Sequence, residues 1–273
     1  MLLGSTPTIK ERIITTLSAG SMDSVVLQER ISLENSITKQ GFYKALRELV
    51  ASEVVVKNKQ LVLLNNVWVN KLNDFLGAVD MNYQRTSDNT FLGLEEGESL
   101  VYHFKTIPGL DALWMHNFFL IAKKESNEPI IFYNSHEFWS LFRFAEESFM
   151  YKWIKDNKRE NYLVIGGNSV LDRATTAYIK DMGLNVAYED TPSFNKNYFT
   201  TVIGDYILDT ILDMNTANAI DKLYKTNTVW NEGVAKELEG ILSKLKRSKV
   251  VISKNKKKAE QIKKKLTKYF IFT

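Results

Sequence analysis

Residues 38–57 read Thr38-Lys-Gln-Gly-Phe-Tyr-Lys-Ala-Leu-Arg-Glu-Leu-Val-Ala-Ser-Glu-Val-Val-Val-Lys57. Thr38 suits the start of a helix, because its side-chain oxygen can accept from a first-turn amide that otherwise has no partner. Phe42, Ala45, Leu46 and Leu49 then recur at helical spacing, which predicts a helix through Val50 with one apolar face. Lys39, Gln40, Tyr43, Lys44 and Arg47 fall on the opposite side. After Val50 the helical period stops. Val54-Val-Val56 and Leu61-Val-Leu-Leu64 flank the polar Lys57-Asn-Lys-Gln60, which predicts a hairpin.

Upstream, Ile9, Ile13, Ile14 and Leu17 predict a first helix over Thr8–Leu17, with Pro7 suited to its early turn. Ser18-Ala-Gly-Ser21 breaks it. A second helix is expected over Ser24–Leu33 with Val25, Leu27 and Ile31 as apolar positions. Helix, helix, helix, hairpin is the order of a winged helix, a helix-turn-helix variant whose third helix enters the DNA major groove. The exposed residues of that helix suit the task. Gln, Lys and Arg bond base edges, and Lys, Arg and Tyr bond phosphates. Thr38, Lys39, Gln40, Tyr43, Lys44 and Arg47 are therefore the candidate groove residues, and Lys57 and Lys59 the candidate backbone contacts of the hairpin tip.

The stretch 38–57 resembles the recognition helix and first wing strand of winged-helix transcription regulators. The shared features are a polar helix start, an aromatic pair, Leu-x-x-Leu and a small-residue turn into a β-branched strand. The resemblance implies double-stranded DNA as a partner. A winged helix that binds protein is the competing reading, because the fold is widely reused.

Asn66–Phe75 is expected to be a fourth helix with Val67, Trp68, Leu72 and Phe75 apolar, either a dimer seam or a face packed on its own domain. The polar, aperiodic stretch Asp80–Asn89 marks a boundary. The expected division is 1–76, a linker over 77–98, and a second domain over 99–273.

Strands and helices alternate beyond the linker, which argues an α/β sheet. Strands are expected at Ser99–Lys105, Pro129–Tyr133, Tyr162–Ile165, Leu184–Tyr188, Phe199–Ile203, Tyr206–Leu212 and Lys249–Ile252. Helices are expected at Pro108–Lys124, His136–Lys155, Asn168–Met182, Thr216–Tyr224, Val229–Leu245 and Asn255–Phe270. Gly204-Asp205 signals a hairpin. The run Phe199–Asp209, then Val250-Val-Ile-Ser-Lys-Asn-Lys-Lys-Lys-Ala-Glu-Gln-Ile through Phe270, is similar to the C-terminal domain of TrmB-like regulators, as is the aromatic-rich Glu137–Trp153. Residues 213–248 look like an insertion in that pattern. The resemblance implies a phospholipase-D-like α/β fold that dimerises or senses a small-molecule effector. The expected fold class is thus α/β, multi-domain.

The chain has 273 residues, 36 Lys+Arg against 32 Asp+Glu, no Cys and three His. Zero Cys excludes disulfides, thiolate metal sites and thiol catalysis, and so few His argue against a metal centre. The start carries no signal-peptide pattern and no apolar run spans a bilayer, so a cytoplasmic protein without a membrane is expected. The net charge of +4 conceals +11 over Lys244–Lys268, +2 over residues 1–70 and −9 elsewhere. Such asymmetry fits nucleic-acid contact, or simply a solvated helix face.

No catalytic residue is assigned. His103-Phe-Lys105 starts the phospholipase-D motif His-x-Lys-x4-Asp, but Leu110 holds the Asp position, Asp111 is one late and no second copy exists. Gly166-Gly167-Asn168 lacks the further glycines of a dinucleotide loop and the Lys of a P-loop, and reads as a plain turn capped by Asn168. Glu146 and Glu147 are adjacent on a helix and point apart. The expectation is a dimeric, sequence-specific DNA-binding transcriptional regulator without cofactor or metal. The alternatives are a protein-interaction module, such as an antitoxin or a transcription-machinery subunit, and a phospholipase-D-like nuclease.

Overall fold

Thr38 caps the helix it was expected to start, its Oγ1 accepting from the Gly41 amide at 3.1 Å. The computed structural model describes residues 7–33, 37–85, 91–243 and 247–270. The chain forms two compact units, Met1–Arg85 and Thr86–Thr273.

The first unit contains α1 (Ile9–Leu17), β1 (Met22–Asp23), α2 (Ser24–Leu33), α3 (Lys39–Ala51), β2 (Val55–Asn58), β3 (Leu61–Leu64) and α4 (Asn66–Arg85). A capping box starts α1. Glu11 donates its amide to Thr8 Oγ1 at 3.2 Å, and the Thr8 amide returns a bond to Glu11 at 2.7 Å. Ile13, Leu17, Leu27, Ile31, Phe42, Ala45, Leu46 and Leu49 bury the three helices against Val55 and Val62 of the hairpin. Val25, expected to be apolar core, is instead exposed, because only Leu27 and Ile31 of α2 point inward with Ser24. Lys59 closes the hairpin with φ of 55°, the left-handed conformation a tight turn requires. A third, unanticipated strand is the two-residue β1, which pairs antiparallel with Leu61 and Val62 to give the order β1-β3-β2. Two residues are too few for alternation to reveal.

Helix α4 runs well past Phe75, to Arg85. The stretch 77–98 thus includes the last turns of α4 and a 3-10 turn at Phe91–Gly93, whose Phe91 and Leu92 join Leu94 in the core of the second unit. Of the expected linker, residues 86–90 lie outside the described residues.

The second unit is mixed α/β. Its strands are β4 (Ser99–Phe104), β5 (Ile130–Asn134), β6 (Asn161–Ile165), β7 (Asn185–Tyr188), β8 (Tyr198–Ile203), β9 (Tyr206–Ile211) and β10 (Ser248–Lys254). Its helices are α5 (Ile107–Lys124), α6 (Trp139–Phe142), α7 (Phe144–Asp156), α8 (Val170–Asp181), α9 (Met214–Thr226), α10 (Glu232–Leu242) and α11 (Lys256–Thr267). The seven strands lie in the order β4-β10-β9-β8-β5-β6-β7. Among the described residues only β5-β6 and β6-β7 pair in parallel, each across a helical connection, as parallel strands require. Period-two alternation splits the buried residues between the faces. Ile130 and Phe132 of β5 and Leu163 and Ile165 of β6 join the large core with α5 to α10. Ile131, Tyr133, Tyr162 and Val164 face α11, which contributes Ala259, Ile262 and Leu266.

Several expected boundaries move for physical reasons. His136–Lys155 is two helices, not one. Arg143 between them takes φ −122° and ψ 44°, and its Nε bonds Asp111 of α5 at 2.9 Å. Helix α8 is capped by Ser169 rather than Asn168. Ser169 Oγ accepts from the Asp172 amide at 3.1 Å and the Asp172 carboxylate accepts from the Ser169 amide at 3.1 Å, while Asn168 donates to Asp190 at 2.8 Å. Helix α10 starts at Glu232 behind an Asn231 cap, and Lys244 and Lys246 lie outside the described residues. Gly204 has φ of 57° in the turn between β8 and β9, where hairpin chemistry favours glycine. Among the described residues, no helix is long and apolar enough to cross a membrane.

Candidate functional site

The polar face of α3 is the first candidate. Gln40, Tyr43, Lys44 and Arg47 are spaced three and four apart and form one stripe. The core residues Phe42, Ala45, Leu46 and Leu49 occupy the opposite stripe, so burial of one presents the other. Thr38, Lys39, Gln40, Lys44 and Arg47 are exposed. Tyr43 is only half-exposed, its ring edge-on to Phe42 at 5.1 Å between centroids. Lys57 and Lys59 are exposed on the hairpin. One residue of this helix escaped the sequence reading. Glu48 pairs with Lys10 of α1 at 2.7 Å, and that hydrogen bond holds its carboxyl below the usual range. The pair neutralises two charges beside Arg47 and keeps the surface only weakly basic.

The second candidate lies in the other unit, where the parallel strands β5, β6 and β7 end. Ligand sites of α/β sheets favour the carboxyl ends of such strands. His136, just past β5, sets Nδ1 3.0 Å from Asp172 and Nε2 3.5 Å from Asp221, and its ring stacks on Tyr224 at 4.5 Å. Burial pushes the Asp221 carboxyl up, but hydrogen bonds from Lys225 (3.0 Å) and Lys196 (3.3 Å) outweigh it and hold it low. The Gly166-Gly167 turn is filled rather than open. A Cβ on Gly166 would lie 2.0 Å from Tyr133 Oη, and one on Gly167 would lie 2.6 Å from Asp172 Oδ2. A turn packed against a carboxylate repels phosphate.

A group of buried acids lies between the sheet and α5, α6 and α7. Glu137 is fully buried and accepts from Asn134 Nδ2 at 2.6 Å and from the Ser140 amide at 3.0 Å. Asp111 bonds Arg143 and is nevertheless pushed up by burial. Glu147, the buried member of the Glu146-Glu147 pair, has no basic partner among the described residues. Burial first, and then the charge of Glu137, hold it well above the ordinary 4.5, against the Tyr151 hydroxyl. Its folded state therefore binds the proton more tightly than the unfolded chain does. That stability is complete below pH 4.5 and is lost as pH rises through the folded value. Glu147→Gln should flatten this decline in denaturant titrations across pH and stabilise the protein at neutral pH by about 1–3 kcal/mol. Parallel pH profiles for the two proteins would contradict the assignment.

His103 and Asp111 are not brought together. His103 is exposed on the edge strand β4 opposite Lys249, whereas Asp111 is buried against Arg143. Among the described residues, no three of His, Asp and Glu group as metal ligands would. Neither a protein-family model nor a curated protein sequence matches the chain.

Proposed function

We propose that this chain is a sequence-specific, double-stranded-DNA-binding transcriptional regulator of the TrmB-like kind. The first unit acts as a winged helix, and the second as a phospholipase-D-like domain that senses a ligand or dimerises. The observation that carries the reading is the α3 stripe. Gln40, Lys44 and Arg47 stand exposed on a rigid, capped helix whose other face is core, with Lys57 and Lys59 on the adjoining hairpin. Such a helix offers donors for base edges and cations for phosphates.

A homodimer follows from the same geometry, because one short helix reads few base pairs and two half-sites multiply specificity. Helix α4 offers an apolar surface for it, with Phe75 62% and Leu76 53% exposed. Selection from a random duplex library should therefore enrich a two-fold repeated site. Recovery of no motif would sink the reading. The protein-interaction alternative is favoured by one observation, the neutralising Lys10–Glu48 pair beside the stripe. A chain that retains no duplex but co-purifies with a protein bound at α3 would establish it.

Helix α11 bears on affinity. Its inward face is core, so truncation would open the sheet. Its outward face carries Lys257 and Lys264, seven residues apart and without an ion pair among the described residues. Lys258 and Lys263 are engaged by Asp209 and by Glu128 with Glu260. If α11 meets the phosphate backbone, Lys257→Gln with Lys264→Gln lowers the slope of log affinity against log salt by about 2, one unit per lost phosphate contact. An unchanged slope confines α11 to solvent.

A further inference from the structure

A cavity of about 40 Å³ lies against the acid group, between the sheet and helices α5, α6 and α7. Three kinds of wall meet there. Glu147 and Asp111, both buried, contribute carboxyl groups, and only Asp111 has a cationic partner. Thr201 of β8 and Thr210 of β9 line the same space at 3% and 2% exposure, and among the described residues no hydrogen bond engages either hydroxyl. Trp114, Phe132, Trp139 and Phe199 supply aromatic surface.

Buried hydroxyls without partners carry an unmet polar demand, and a buried carboxyl without a cation carries a larger one. Among the described residues no Lys or Arg lines the space, so an anion would enter without a charge partner. A purely apolar guest would leave every polar group as it stands. A primary ammonium meets the demand. Its three N–H groups match two hydroxyl oxygens and the Glu147 carboxyl, which gives its proton to solvent as the cation arrives, and its charge is favoured over aromatic faces. The volume equals roughly three water-sized positions at ~10–15 Å³ each, so the guest has a short carbon stem. We propose that this cavity is a binding site for a small primary amine, held as its ammonium by Glu147, Thr201 and Thr210. The site lies wholly within the second unit and does not depend on whether the first unit binds DNA.

The test is calorimetric titration of the full chain, without DNA, using ethylammonium and ethanolamine as probes and propanol and propionate as neutral and anionic matches. Saturable binding of an amine, with neither match binding, is the expected result. Glu147→Gln keeps the shape and removes the charge, and should weaken the amine tenfold or more. Thr201→Val with Thr210→Val keeps the charge and should also weaken it, and it carries the test should Glu147→Gln fail to fold. The proposal is overturned if no amine binds at millimolar concentration, if propanol binds as well as the amines, or if folded variants bind like the native protein.

Discussion

The double variant Lys44→Ala, Arg47→Ala should lose duplex binding in a gel-shift assay while its far-UV circular dichroism stays native. Both side chains are exposed, three residues apart on the outward stripe of α3, and neither forms an ion pair among the described residues. Alanine is the strongest helix former, so the backbone gains rather than loses from the change. Each lost contact to a base edge or phosphate costs about 1–3 kcal/mol, so the pair weakens binding on the order of a hundredfold or more. Lys10→Ala is the informative control. It removes a similar charge from the same unit and frees Glu48 beside Arg47, and should weaken binding far less. Unchanged affinity in the Lys44, Arg47 double variant would end the DNA-reading assignment for α3.

Gly166→Ala should destabilise the second unit severely. The glycine follows β6 and gives its amide to the Asn134 carbonyl at 2.8 Å, so its position is tied to β5. A methyl group there would lie 2.0 Å from Tyr133 Oη and 2.7 Å from Cζ. Tyr133 is fully buried and packs on Phe194 at 4.7 Å, so it has no free direction of retreat. Overpacking of this kind costs on the order of 3 kcal/mol, read as a fall in the denaturant midpoint. The hydroxyl is buried without a hydrogen-bond partner among the described residues. Tyr133→Phe should therefore be close to neutral alone and should restore part of the loss in Gly166→Ala, since the ring carbon remains in the way. A double-mutant cycle measures that coupling. A Gly166→Ala protein as stable as the native chain would mean that the turn does not pack as described.

What could be read without coordinates was whatever depends on near neighbours in the chain. Thr38 and the Phe42, Ala45, Leu46, Leu49 period lie within one helix, and α3 emerged at its expected start. The strands of the large sheet announced themselves by β-branched runs, and Gly204 by the turn it makes. The capping box at Ser169 was also present as Ser-x-x-Asp, and was passed over for the adjacent Asn168. What could not be read depends on distant partners. Arg143 leaves the helix for Asp111, 32 positions earlier, and no local pattern encodes that pull. Glu147 looks like any helix-face glutamate until tertiary packing removes water from it. The site proposed on α3 was thus legible because a single helix carries it. The carboxyl cluster was not, because α5, α7 and the sheet assemble it.

The strand order has a consequence for how the protein is made. Among the described residues β4, the first strand of the second unit, pairs with β10 alone, and β10 also completes the pairing of β9. During synthesis, β4 must therefore wait for more than a hundred residues before its only partner leaves the ribosome. The face of β5 and β6 bearing Ile131, Tyr133, Tyr162 and Val164 is covered by an element later still in the chain, α11. Such late closure leaves unpaired edges and apolar surface open to other nascent chains, which is where chaperone dependence arises. The lysines of α11 then arrive on the element that shields this face of the sheet.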